Sequence, residues 1–183
     1  MHLKKWKNLV NNKIVVGLVA LLLLPLSLKA DPLAEIYNVH RIDAGLVSAG
    51  QVTVEQIDDL KEAGIGLVIN LAVADQERNS EEGFKVTEAG ITYTQIPVAW
   101  DKPTFADLEL FFAVMDARAD RATLVHCFAN FRASAFTYLY RVTRAGVPEA
   151  EARKDLAVIW TDKAWEEYPQ WRRFVDEALT RYQ

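Results

Sequence analysis

Beyond residue 30 the chain alternates short aliphatic runs with longer segments whose apolar positions recur every three to four residues, the pattern of strands interleaved with amphipathic helices. Leu46 to Ser48 predicts a short first strand. Thr53 followed by Gln56 has the form of a capping box and opens a helix through Ala63, with Gly64 as its stop. Leu67-Val68-Ile69-Asn70-Leu71 reads as a buried strand. A polar connection over 72–80 follows; Ser80 is placed to cap a helix reaching Ala89 before Gly90, and Ile91 to Ile96 alternates as a strand. After a loop from Pro97 to Pro103, Thr104 and Asp107 cap a helix whose Leu108, Phe111, Phe112 and Met115 share one face. Thr123 to His126 is a strand ending at Cys127. A helix is expected from about Ala133 to Ala145, stopped by Gly146, and Pro148 suits the first turn of another running to about Trp160. The last segment, with Trp165, Trp171 and Phe174, predicts one final helix; Trp160, Trp165 and Trp171 serve either the core or a binding surface. The alternation predicts an α/β fold with a central, largely parallel sheet flanked by helices.

The first thirty residues follow a different pattern. Lys4, Lys5, Lys7 and Lys13 precede or open an apolar run from Ile14 to Leu24, and Leu28-Lys29-Ala30 offers a cleavage site, so residues 1–30 read as a secretory signal and residues 31–183 as one domain. A membrane span takes about 20 apolar residues, and this run is shorter. Leu28 departs from the small-residue cleavage pattern, which keeps open an uncleaved anchor over residues 14–28. The expected location is exported, in the periplasm, with membrane association only if the segment stays uncleaved.

Charge narrows the partners. The leader holds five Lys and no acid, so its removal leaves 16 Lys plus Arg against 25 Asp plus Glu, a formal charge of −9. Such a surface repels polyanions and argues against a nucleic-acid partner; an anion site must be made by a few focused groups.

Cys127 is the single cysteine, which excludes an intramolecular disulfide and a thiolate metal cluster. No His/Asp/Glu cluster has ligand spacing, so neither metal nor organic cofactor is expected. A lone thiol is either a buried core residue or a nucleophile. Its position decides for the nucleophile: a loop entering a helix N-terminus stabilises a thiolate with unpaired N–H groups and the helix dipole, and cradles a tetrahedral anion with the same groups. Arg132 can then clamp two anion oxygens in a bidentate fork.

The run His126-Cys127-Phe128-Ala129-Asn130-Phe131-Arg132-Ala133-Ser134-Ala135-Phe136 resembles the signature loop of dual-specificity and tyrosine phosphatases, in the form His-Cys-x-Ala-Asn-x-Arg-x-Ser-Ala-Phe of a bacterial phosphatase-like group. Leu46 to Gln51, the helix and strand through Leu71, Tyr93 to Pro97 and the helix before the Cys127 strand are similar in order, over about residues 40–160. The resemblance implies a phosphatase-like α/β fold and hydrolysis of phosphomonoesters, of phosphotyrosine or phosphoserine proteins among them, through a phosphocysteine intermediate. Cys127 would be nucleophile and Arg132 the anion clamp, with Phe128, Ala129, Asn130, Phe131 and Ala133 forming the phosphate-binding loop. Asp101, in Ala99-Trp100-Asp101-Lys102-Pro103, matches the family's general acid, although a turn residue beside a proline is the other reading; Asp75 is a weaker candidate. His126 shapes the loop or merely ends the strand, and Ser134 either donates to the thiolate or caps the helix. His40, Arg41 and Lys102 are further residues that could touch substrate.

One departure stands out: four residues separate Cys127 from Arg132, where the superfamily has five. Asn130 takes the place of the usual glycine three after the Cys, and Asn tolerates a left-handed backbone. A six-residue loop is similar to that of rhodanese-type sulfurtransferases, which leaves sulfur transfer, or anion binding without turnover, as alternatives. N-terminal sequencing of the cell-derived protein is expected to begin at Asp31; Met1 on a membrane-extracted species would show the anchor instead.

Overall fold

The computed structural model describes residues 30–183, so the leader expected over residues 1–30 lies, but for Ala30, outside the described residues. One five-stranded sheet has the order β1-β2-β5-β3-β4. β2 (Leu46–Ala49), β5 (Thr123–His126), β3 (Leu67–Asn70) and β4 (Thr92–Gln95) are parallel, and β1 (His40–Asp43) runs antiparallel to β2. β1 is absent from the sequence expectation. Its His-Arg-Ile-Asp composition carries no strand signal, since an edge strand is half solvated, and a register shift between Arg41 and Asp43 breaks its ladder.

The central strands β2, β5 and β3 are buried throughout, as strands covered on both faces must be. Pleating sends alternate side chains to opposite faces. Leu67, Ile69 and Val125 enter one core with α3 (Phe105–Asp116), α4 (Phe131–Thr143), α5 (Glu149–Ile159), α6 (Asp162–Glu167) and α7 (Pro169–Tyr182). Val47, Val68 and Leu124 enter the other, with α1 (Ile57–Glu62) and α2 (Glu82–Glu88). Among the described residues no helix is long and apolar enough to cross a membrane.

The capping signals at 53–56 and 104–107 hold: Gln56 Oε1 accepts from the Thr53 N–H, and Thr104 Oγ1 from the Asp107 N–H. Ser80 does not cap; its hydroxyl donates to the Gln76 carbonyl, and Glu81 is the N-cap of α2. The expected single last helix is two, because Pro169 cannot continue α6 and instead begins α7.

Large aromatics settle the C-terminal packing. Trp160 and Trp171 are fully buried, and the half-buried Trp165 stacks on Trp160 with ring centroids 4.1 Å apart. Their indole N–H groups are also used: Trp171 Nε1 donates to the Trp100 carbonyl at 2.9 Å and Trp160 Nε1 to the Phe131 carbonyl at 3.0 Å. The core thereby fixes both the loop after β4 and the first turn of α4. Trp171→Ala should lose about 3–5 kcal/mol in urea unfolding, the range for truncating a buried aromatic. A loss below about 1 kcal/mol would contradict this packing role.

Candidate active site

Parallel strands present their carboxyl ends along one edge, where ligands of open α/β sheets bind. At that edge β5 ends on His126, and Cys127 to Asn130 turn the chain into α4. Cys127 donates its N–H to the Ala49 carbonyl at 3.3 Å, and the Phe128 carbonyl accepts from the Gln51 N–H at 3.2 Å. Gly50 bridges to Ala129. A Cβ at Gly50 would lie 2.8 Å from the Tyr37 carbonyl oxygen and 3.2 Å from that of Phe128, so only glycine allows the approach. Asn38 completes the clamp: its amide donates to the Ala129 carbonyl at 3.3 Å, and its own carbonyl accepts from Asn130 Nδ2 at 2.7 Å.

Asn130 adopts φ +70°, the left-handed conformation that the sequence expected of Asn in place of glycine. The turn lets α4 start at Phe131, two residues before the expected Ala133, and puts Arg132 in the first helical turn. The opening N–H groups of α4 have no intrahelical acceptor, and the dipole there favours an anion.

Beside this loop lies a cavity of about 240 Å³. Cys127, Phe128, Ala129, Phe131 and Arg132 line it from the loop and α4, and Trp100 and Tyr168 close it from outside. Arg132 is 6% exposed; its guanidinium carbon lies 5.3 Å from the Trp100 ring and 5.7 Å from that of Phe128. Its Nε is buried without a partner, and no carboxylate among the described residues pairs with the side chain. A desolvated cation without a counter-ion is costly, and an anion in the cavity would relieve that cost. Among the described residues no three His, Cys, Asp or Glu side chains converge to hold a metal ion.

The other expected residues divide. Asn130 and Ala133 are buried and outside the cavity lining, so they can contribute through the backbone alone. Ser134 takes neither expected side-chain role: Asn130 is the N-cap, and the Ser134 hydroxyl donates to the carbonyls of Asn130 (2.8 Å) and Phe131 (3.2 Å). It supports the loop by tying it to the helix. His126 is fully buried beneath the loop, with Nε2 2.6 Å from Glu82 Oε1.

Asp101 is exposed on the loop directly after Trp100. Asp75 makes a poor proton donor, because hydrogen bonding from the Arg78 guanidinium, with help from backbone N–H groups, holds its carboxyl below the usual range. His40 is paired with Asp155 at 2.8 Å and Arg41 with Asp31, so both are engaged away from the cavity. Sequence reasoning missed Tyr168, Glu82 and Arg78, the last stacked 3.5 Å above the Phe128 ring. Each is brought in by tertiary packing, with no local motif to flag it.

Neither a family model nor a curated protein matches the chain. Solved structures do. A DUF442 candidate phosphatase from Shewanella putrefaciens CN-32 is 35% identical over 84% of this chain and 99% of its own, with a TM-score of 0.74. A candidate phosphatase of Neisseria meningitidis Z2491 is 22% identical over 75% of this chain and 96% of its own, with a TM-score of 0.57. TpbA of P. aeruginosa, crystallised with phosphotyrosine as a Cys-to-Ser variant, is 15% identical over 82% of this chain and 91% of its own, with a TM-score of 0.62. The last two likenesses concern the fold.

The left-handed turn gives a direct test. Asn130→Ala should destabilise by about 2–3 kcal/mol, combining about 1–2 for an alanine in this conformation with about 1 for the lost bond to Asn38. Asn130→Gly relieves the backbone and should lose only the smaller part. Equal losses in urea unfolding would show that the conformation is not what selects Asn.

Proposed function

Because the chain belongs to the DUF442 group of the cysteine-dependent phosphatase superfamily, we propose that it hydrolyses phosphomonoesters with Cys127 as nucleophile. The observation that carries this reading is the buried Arg132 side chain beside Cys127 at a helix N-terminus, with its Nε unpartnered and no paired carboxylate among the described residues. The Cys127 sulfur attacks phosphorus while the bond to the leaving oxygen breaks. The Arg132 fork and the N–H groups of the loop hold the equatorial phosphoryl oxygens, and Asp101 gives its proton to the leaving oxygen. Water then attacks the phosphocysteine, returns a proton to Asp101 and releases phosphate and thiolate.

Aromatic walls favour an aryl ester. Trp100, Phe128, Phe131 and Tyr168 enclose a space that a phenyl ring can fill, which suits phosphotyrosine better than an alkyl phosphate. A similar fold, that of TpbA, was crystallised with phosphotyrosine. The basic, apolar leader supports export to the periplasm, with retention through residues 14–28 as the other outcome.

A second reading, sulfur transfer through a Cys127 persulfide, is favoured by one observation, the four-residue spacing between Cys127 and Arg132. The same cradle without turnover would be an anion-binding module. Asp101 separates the two enzymatic readings. An alkoxide must be protonated as it leaves, whereas an activated phenolate departs unaided. Asp101→Asn should slow alkyl phosphate hydrolysis by about 10²-fold or more and an activated aryl phosphate far less. Equal losses on both would make Asp101 a positioning residue. Thiosulfate-to-cyanide transfer without any phosphatase activity would replace the phosphatase reading.

A further inference from the structure

The face of the sheet away from Cys127 holds a buried polar centre that the reaction above does not use. His126 and Asn70 are partners in the β3–β5 register, and alternation along the strands turns both toward α1 and α2 while Cys127 joins the opposite core. Glu82, the first residue of α2, is 3% exposed and places its carboxylate against them. Oε1 lies 2.6 Å from His126 Nε2, at ion-pair distance but off the axis of a well-aligned hydrogen bond. Oε2 accepts from Gln51 Nε2 at 2.8 Å and from Asn70 Nδ2 at 3.2 Å.

A carboxyl group this deep is tolerated where polar partners surround it, and here His126, Gln51 and Asn70 do so. Tyr93 packs at the same centre, where burial first, and the neighbouring Glu82 carboxylate second, push its hydroxyl up to about 12. Tyr93 also accepts from Asn70 at 3.0 Å, and its ring lies against Gly83, where a Cβ would come within 2.9 Å.

Two of the three side chains against Glu82, those of His126 and Gln51, belong to residues that also hold the nucleophile loop. His126 is bonded covalently to Cys127, and its carbonyl accepts from the Leu71 N–H at 2.8 Å. Gln51 secures the Phe128 carbonyl with its backbone N–H. Asn70 is locked by its Oδ1 on the Ala72 N–H at 2.7 Å, so the carboxylate bears on a fixed frame.

We propose that Glu82 is a positioning residue for the phosphoryl transfer: its carboxylate, acting through His126, sets the placement of Cys127 over the anion cradle. This rests on the reading of Cys127 as nucleophile. A purely structural pair would change the melting temperature and nothing else.

Glu82→Gln keeps the volume and one acceptor. It should lower kcat on an aryl phosphate about ten-fold with KM within about two-fold, the size of coupling expected within one hydrogen-bonded network. Alkylation of Cys127 reads the same geometry without turnover. A formed cradle prefers anionic iodoacetate to neutral iodoacetamide, and Glu82→Gln should reduce that preference at least about three-fold. In a His126→Asn background both effects should shrink to about two-fold or less, because the path runs through the imidazole. Undiminished losses in that background, or a lower melting temperature with kcat and alkylation preference unchanged, would overturn the proposal. Gln51→Ala, which removes one donor and keeps the backbone clamp, should show a smaller loss in both readouts if Glu82→Gln does not fold, and no loss would again overturn it. A wild-type protein without phosphatase activity would remove the phosphatase reading while leaving the alkylation comparison to decide the role of Glu82.

Discussion

Arg132 puts a guanidinium into a largely aromatic cavity with no carboxylate paired to it among the described residues, and withdrawing such a charge from water costs several kcal/mol unless an anion joins it. The surrounding structure holds that arrangement in place. Asn130, left-handed at φ +70°, starts α4 early enough for Arg132 to fall in its first turn. Gly50 lets the end of β2 approach the loop, and Asn38 ties the turn from outside. Trp160 and Trp171 then fix the Phe131 and Trp100 carbonyls, so the walls of the cavity are extensions of the core. The guanidinium is thus presented to an incoming anion with little left to reorganise.

The pleat of β5 divides the work between two faces. Cys127 enters the core built with α3 to α7, which supplies the aromatic walls, while His126 enters the α1–α2 side and meets Glu82. Cys127 and His126 are therefore adjacent in sequence and directed to opposite faces of the sheet. A formal charge of −9 over residues 31–183 does not count against an anion here, because the attraction would come at short range from the Arg132 guanidinium and oriented N–H groups.

Much of this was legible in the sequence. The runs at 46–48, 67–71 and 123–126 gave the central strands, because strands buried on both faces place aliphatic side chains at consecutive positions, Leu46-Val47, Leu67-Val68-Ile69 and Leu124-Val125. Cys127, Arg132 and the left-handed Asn130 could be read from the loop because their spacing is local. β1 could not, since its polar edge residues carry no periodicity, and neither could the break at Pro169, which is masked by the regular aromatic spacing around it. Glu82 lies in a run, Ser80-Glu81-Glu82-Gly83, that reads as a solvated helix start, and only the fold carries it beneath His126. Tyr168 reaches the cavity in the same way, from about forty residues beyond the loop, with no motif of its own.

The central claim is that Cys127 accepts the phosphoryl group. Acid quenching during turnover of an aryl phosphate, followed by mass spectrometry of the peptide that contains Cys127, tests it most directly. The account predicts a phosphoryl adduct on Cys127 in the wild-type protein that vanishes in Cys127→Ser. Steady hydrolysis with the phosphoryl group on another residue, or an adduct of sulfur on Cys127 formed from thiosulfate with none from the phosphate ester, would contradict it.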